Sequence, residues 1–367
     1  MELKIKTAVL QDLVNKSIKG AGKDKVMPIT ELMGVEVSGQ NLYLTTTLDG
    51  NNVLTVYDKA EQVEGEFAGA VNAETFSKLI SKTTCEIITL KVEGNVLKVH
   101  GNGDYSFPLS TETEDELVVI PQVAIPADAK IISEVSAKVN NLKDSYVIGK
   151  TALATNNSQQ CFTGFYFYEN GSVTSDGSKA AYTKKKIFES ALLLSNAFMS
   201  LTGLLTGEDV KITVTEDCVF LSSAGINIFG RKMPEVAEFP IESIVQFTEL
   251  EFPNSVKLNK TALLNVLDRV ALFIGQYDRN GVRFNFGPKG VLITDLKVTS
   301  SELLKAEGDL KEFSAVLDIE SLKNMLSVNT EEAVNLSYGS PEAIKMQFGD
   351  TVQVLATQIE EGAEEAK

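Results

Sequence analysis

One block of about 122 residues occurs three times in this chain of 367 and leaves little over. Each copy holds a short amphipathic helix, a short connection, and two or three strands. In the first copy Phe76-Ser-Lys-Leu-Ile80 leads to strands at 86–92 and 95–99. In the second, Phe198-Met-Ser-Leu-Thr202 leads to strands at 210–214 and 218–221. In the third, Leu322-Lys-Asn-Met-Leu326 leads to strands at 334–338 and 343–348. Three similar units must each bury an apolar face.

Each copy also opens with an earlier helix. At about 100° per residue, Leu10, Leu13, Val14 and Ile18 share one face, with Lys16 and Lys19 opposite. In the third copy Leu263, Leu264, Leu267 and Ala271 form the apolar side, and Arg269 stands away from it. The middle copy, 139–153, is less regular, and its Gly149 weakens the helix. Segments 42–48, 164–168 and 281–286 alternate in polarity and predict strands. Each third is therefore expected to be an α+β unit, an antiparallel sheet packed on two helices. Acidic residues at 111–116 and the breakers Pro121, Pro126, Pro240 and Pro253 place domains at 1–122, 123–250 and 251–367. The acidic tail 360–367 is expected to fray.

Several functions are excluded by what the chain lacks. No apolar run approaches the ~20 residues that span a bilayer. The N-terminus alternates in polarity without an apolar signal core. Cys85, Cys161 and Cys218 are far apart and odd in number, which argues against a disulfide framework or a thiolate zinc site and for a reduced, cytoplasmic setting. The single histidine, His100, rules out multi-histidine metal sites and brings no nucleophile with it. Gly20-Ala-Gly-Lys-Asp-Lys25 looks like part of a phosphate loop, but Ser17 and Asp24 stand where that loop needs Gly and Ser or Thr. No catalytic residue, metal or cofactor is expected, and an enzyme is the weakest of three readings.

The net charge is −16, and every third is acidic, which taken alone argues against nucleic acid. The first-helix stretches 4–25, 130–150 and 257–269 are nevertheless each net basic. With these helices turned toward a common axis, Lys16, Lys19, Lys23, Lys25, Lys82, Lys143, Lys260 and Arg269 would hold duplex DNA by phosphate attraction, without sequence specificity. Lys184-Lys-Lys186 is either a solvated loop or a further phosphate-contacting patch. The competing reading is a structural or adhesive repeat protein without DNA binding, such as a phage particle component. It accounts for the acidity and the strands but not for three basic helix faces.

The ordered set of segments resembles the bacterial-type DNA sliding clamps, the beta processivity subunits of replicative DNA polymerase. Met27-Pro-Ile-Thr-Glu-Leu-Met33 is similar to the family's segment after its first helix, and 66–80 to its lead into the second. Thr174-Ser-Asp-Gly-Ser-Lys-Ala-Ala181 resembles the family's Thr-Asp-Gly-His-Arg-Leu-Ala loop. Residues 230–240 resemble its segment ending in Phe-Pro. Residues 264–272, followed by Arg279-Asn-Gly-Val-Arg-Phe284, are similar to the helix and Arg-Gly-Val-Arg strand of its third domain. The resemblance covers essentially the whole chain. It implies three clamp-type domains per chain and a head-to-tail homodimer. Six domains would then close a ring around duplex DNA, helices inside and sheets outside. It further implies a non-catalytic accessory subunit, placed by a clamp loader. The replicative polymerase and other clamp-binding peptides would dock in a cleft between the second and third domains. Carried over by position, that cleft would hold Phe162, Ser175, Gly177, Lys179, Ala180, Phe247, Val354, Leu355 and Thr357. The setting would be cytoplasmic, nucleoid-associated, or the host cytoplasm for a phage-encoded version, with no membrane partner. Two departures stand out. Ser178-Lys179-Ala180 replaces the family's His-Arg-Leu, and Leu355-Ala-Thr-Gln358 replaces its Met-Pro-Met-Arg-like end. A partner peptide different from the common bacterial one is therefore expected. Tight binding of a standard clamp-binding peptide in fluorescence anisotropy would refute this.

Overall fold

The alternating stretches of the sequence become antiparallel strands, and the stretches with helical spacing become short helices between them. The computed structural model describes residues 1–113, 116–155, 159–275, 280–308 and 310–358. Arg279 and the acidic tail 360–367 lie outside the described residues. The first third runs β1 (Glu2–Lys6), α1 (Thr7–Ser17), β2 (Leu32–Ser38), β3 (Asn41–Thr47), β4 (Asn52–Lys59) and β5 (Gln62–Glu64). It continues with β6 (Phe67–Asn72), α2 (Ala73–Lys82), β7 (Ile87–Glu93), β8 (Val96–His100) and β9 (Asp104–Pro108). The second runs β10 (Ile131–Lys138), α3 (Val139–Gly149), β11 (Gly164–Tyr168), β12 (Gly171–Ser175), β13 (Lys179–Thr183) and β14 (Leu192–Ser195). Then follow α4 (Asn196–Leu201), β15 (Asp209–Thr215), β16 (Cys218–Ser223), β17 (Ile226–Arg231) and α5 (Ile241–Glu249). The third runs β18 (Asn254–Asn259), α6 (Lys260–Ala271), β19 (Gly281–Gly287), β20 (Gly290–Asp295) and β21 (Ser301–Leu304). It ends with β22 (Phe313–Asp318), α7 (Ile319–Ser327), β23 (Ala333–Tyr338), β24 (Ala343–Phe348) and β25 (Thr351–Ala356). One order recurs: strand, helix, four strands, helix, three strands. The first third adds the short β5, and the second adds α5.

The turn from strand to helix is made by the same chemistry in three places. Asn72, Asn259 and Asp318 end their strands in extended backbone and cap the helices that follow, accepting from Thr75, Ala262 and Ser321 N–H at 2.9, 2.8 and 2.7 Å. Each cap satisfies one amide that the helix leaves unpaired, worth about 1 kcal/mol. Leu10, Leu13 and Val14 of α1 are buried, as their spacing predicts, and each such side chain stabilises by about 1.5–3 kcal/mol.

The strands form four antiparallel sheets in two compact units. The first unit, Met1–Leu142 with Ala197–Lys232, holds the sheets β5-β1-β7-β8-β9 and β10-β15-β16-β17-β4-β3-β2-β6. The second, Lys143–Asn196 with Met233–Lys367, holds β14-β11-β12-β13-β25-β24-β23-β18 and β21-β20-β19-β22. Each eight-stranded sheet is a ladder shared between two thirds of the sequence. In one, β17 pairs with β4 from Ile226↔Val56 to Gly230↔Asn52. In the other, β13 pairs with β25 from Lys179↔Leu355 to Thr183↔Thr351. Strands of the middle third therefore stand in both units.

Gly149, which weakens the helix in sequence, lies at the end of α3 for a packing reason. A Cβ there would sit 2.6 Å from Phe165 Cε1, and its carbonyl accepts from Thr174 Oγ1 at 2.8 Å. The glycines of the phosphate-loop look-alike are also packing residues. A Cβ at Gly22 would lie 2.2 Å from the Leu48 carbonyl oxygen, and one at Gly20 2.6 Å from Thr46 Oγ1. No helix among the described residues is long and apolar enough to cross a membrane.

Candidate nucleic-acid interface and partner cleft

In the first unit, α1 and α2 pack side by side. The Gln11 side-chain amide donates to the Ile80 and Thr83 carbonyls at 3.0 and 2.9 Å and so locks the end of α2 against α1. Lys82 lies in the last turn of α2, Lys19 in the 3-10 turn after α1, and Lys23 and Lys25 in the loop beyond it. All four are exposed, and none has a described carboxylate within ion-pair distance. Lys16 is different: its ammonium pairs with Asp12 one turn earlier, at 2.5 Å. Lys78, beside Lys82, pairs with Glu74 and holds that carboxyl below its usual range, with a smaller contribution from Lys23. An exposed positive surplus therefore remains on this helix pair, within reach of phosphate.

Of the corresponding cations of the second unit, Arg269 and Lys260 are already matched. Both guanidinium arms of Arg269 contact Glu302 on β21, Nε–Oε1 and Nη2–Oε2 both at 2.6 Å. This raises the arginine and lowers the carboxyl. Lys260 donates its ammonium to the Asn329 carbonyl. Lys323 of α7 pairs with Asp268 of α6 at 2.7 Å. Lys143 is half-buried on α3, and Lys150 stands 5.4 Å from the centre of the Tyr146 ring. Of the eight cations expected to face DNA, Lys19, Lys23, Lys25 and Lys82 thus form one open group, Arg269, Lys260 and Lys16 make other bonds, and Lys143 is half-buried. Of the basic run, Lys185 pairs with Asp144 at 3.0 Å, while Lys184 and Lys186 are exposed.

The expected cleft residues separate by strand alternation. Ala180 and Val354 are cross-strand partners and share an apolar cluster with Phe162, Val173, Tyr182 and Ile244, with Phe247 packed against it. Leu355, one residue on, points to the opposite face of the sheet and joins the core formed with α6 and α7. Ser175 and Gly177 build the turn before β13: the Ser175 hydroxyl donates to the Lys179 carbonyl at 2.8 Å and accepts from Gly177 N–H at 3.1 Å. Gly177 has φ +94, which only glycine adopts freely. Thr357 hydroxyl donates to the Pro341 carbonyl. Lys179 leaves this group, its ammonium 3.5 Å from Asp176 and 3.4 Å from the Ser321 hydroxyl of α7. It lines a separate polar cleft of about 820 Å³ with Tyr146, Lys150, Leu153, Asn196 and Asn324.

The residue set read from the sequence names Phe247 but predicts no helix around it, because Pro240 and Pro253 mark the stretch as a junction. A signal was present. Ile241, Ile244, Val245 and Thr248 recur at helical spacing, and Ile244 and Thr248 are the residues that the helix buries. Also absent from the set are Tyr166 and Phe239, whose rings stack at 4.6 Å beside Phe162.

Comparison with solved structures finds the same fold along the whole chain. The DNA polymerase III beta subunit of Thermotoga maritima superposes with a TM-score of 0.84 at 18% identity, over 98% of this chain and 100% of that one. A DnaN sliding clamp of Pseudomonas aeruginosa, bound to griselimycin, gives 0.85 at 16% identity over the same shares. The beta subunit of Streptococcus pyogenes DNA polymerase gives 0.81 at 14% over 98% and 100%. The chain thus has the α+β sliding-clamp fold, as its sequence resemblance implies. No protein-family model matches it, and no curated protein matches it in sequence.

Proposed function

We propose that the chain is a DNA polymerase processivity factor, a ring that encircles duplex DNA without reading its sequence and tethers the replicative polymerase. The observation that carries this reading is the end-to-end likeness to beta clamps, which leaves neither chain with an unmatched domain. The exposed lysines of the α1–α2 pair supply the second support. Lys19, Lys23, Lys25 and Lys82 offer weak, screened phosphate contacts, which hold DNA without stopping it from sliding. The three repeat domains are 1–122, 123–250 and 251–367. The protein performs no chemistry itself, and topology rather than affinity keeps it on DNA. It acts in the cytoplasm with a clamp loader.

Ring closure is head to tail between two copies. Leu272 and Phe273, just past α6, are 81% and 53% exposed, a costly state for two large apolar side chains. On the first unit, β9 is a sheet edge that pairs with β8 and with no other strand among the described residues. Beside it lies a cavity of about 620 Å³ lined by Leu79, Tyr105 and Phe107. Leu272 and Phe273 of one copy fill that cavity in the next, a heterologous contact that closes after two copies. Light scattering, with nicked circular and linear DNA and a candidate loader, tests the reading. A mass near twice 39.8 kDa, with retention on circles and loss from linear ends, is expected. A chain that forms no ring and is never retained on circles refutes it and favours the structural repeat protein.

A further inference from the structure

Two apolar side chains anchor a contact well only if the backbone beneath them is already held, because ordering it on contact subtracts from the affinity. Leu272 and Phe273 follow the last turn of α6, and their amides donate back into it. Leu272 N–H reaches the Arg269 carbonyl at 3.2 Å, and Phe273 N–H reaches the Val270 carbonyl at 3.0 Å. That turn therefore sets their direction. On its inner side Val270 is buried in the core, with Ala271 packed against it. Two ion pairs on adjacent residues hold it from two other elements. Asp268 pairs with Lys323 of α7 at 2.7 Å. Arg269 takes the Glu302 carboxylate of β21 with Nε and Nη2, each at 2.6 Å. The second pair is the directional one. A guanidinium fork on a carboxylate fixes distance and plane together, whereas an ammonium is a point charge on a flexible stem. The strand at the far end is short. Among the described residues β21 has four positions and one neighbour strand, β20. Leu304 is buried, and Asp295 ties the turn before the strand by accepting from the Ser300 amide and hydroxyl. Glu302 lies between these two holds.

We infer that Arg269 and Glu302 are a positioning pair for ring closure: their fork ties the last turn of α6 to β21 and so aims Leu272 and Phe273 at the next copy before contact. The inference rests on the ring-closure part of the proposed function. It gives Arg269 a use other than the phosphate contact that its place on a basic helix suggests. The main chain and the side chain of this one residue divide the work. Its carbonyl receives the amide of Leu272, and its guanidinium holds the edge strand. A cation in the last turn also suits the negative end of the helix dipole. The two side chains are 55% and 34% exposed, so screening keeps the pair weak by itself. A head-to-tail ring of two copies has two such joints, and a small loss at each counts twice.

The test measures the dimer dissociation constant of the full chain by sedimentation equilibrium, for Arg269→Gln, Glu302→Gln and the exchanged pair Arg269→Glu with Glu302→Arg. Each single change should weaken a joint about threefold, and so the two-joint ring about tenfold. The exchanged pair should recover most of that loss. The single variants change net charge in opposite senses, so a general charge effect moves their constants apart, while loss of the fork moves them together. Hydrogen exchange supplies the second reading. In both single variants the amides of Leu272, Phe273 and β21 should exchange faster, with the β19–β20 ladder unchanged, and the exchanged pair should slow them again. Single variants that dissociate like the unaltered chain, or that shift in opposite directions, overturn the inference. So do exchange rates that ignore the fork. In each of these cases dimers of the unaltered chain leave the ring-closure reading standing. An unaltered chain that stays monomeric at every concentration removes that reading and takes the inference with it.

Discussion

Changing Lys19, Lys23, Lys25 and Lys82 together to glutamine removes four exposed cations of the α1–α2 pair that make no ion pair among the described residues. Each phosphate neutralised by a cation adds about 0.9 to the slope of log affinity against log salt. Four lost contacts flatten that slope by about 3.6. Between about 50 and 200 mM salt the variant should then lose about 150-fold less affinity than the unaltered chain. The pair of changes Arg269→Gln and Glu302→Gln gives the contrast. It removes a cation that reading by sequence alone places on DNA, but it also removes the carboxylate that holds both its arms at 2.6 Å. Net charge is unchanged, so the slope should shift by less than about one. Anisotropy of a fluorescein-labelled blunt duplex, titrated at several salt concentrations, reads both slopes. If the two variants flatten the slope equally, or the fourfold variant leaves it intact, the assignment of phosphate contacts to the first helix pair is wrong.

Three further outcomes follow from geometry. Leu272→Ala with Phe273→Ala should convert a dimeric mass to 39.8 kDa in light scattering, since each side chain loses about 1.5–3 kcal/mol of burial per interface. Gly149→Ala should destabilise the second unit by about 1–3 kcal/mol in urea unfolding, because the new methyl meets Phe165 and Thr174 at 3.0 Å or less. Burial raises the Asp295 carboxyl, but hydrogen bonds from Ser300 and Thr299 outweigh it and hold the group at about 2. A depressed carboxylate stabilises the fold above the unfolded value near 3.9 and loses that contribution as pH falls toward 2. Asp295→Asn should therefore lower stability by about 1–3 kcal/mol at pH 7 and much less near pH 2, in thermal melts across that range.

The repeat was legible because it is written twice over, in helical spacing and in strand alternation. Phe76, Phe198 and Leu322 carry it, and all three are fully buried on the helices they mark. The charged site was legible only in part. Sequence places Lys19 and Arg269 on solvent faces alike, but the carboxylate that claims Arg269 lies 33 residues on, on the edge strand β21. Such non-local pairing leaves no mark in local spacing. The cleft residues divide for another reason. Transfer by position set Val354 and Leu355 side by side, while the period-2 geometry of β25 sends them into different cores. The α5 helix was lost to its flanking prolines, although Pro240 permits a helix to start directly after it.

The two shared ladders separate the unit of repetition from the unit of folding. A single repeat ending near residue 122 would keep β4 but lose β17, stripping five paired positions from a strand whose Leu54 and Val56 are fully buried. A bare edge of that kind is a template for pairing with another chain, including a second copy of itself. Carrying the repeats in one chain supplies each raw edge with a permanent, stoichiometric cover.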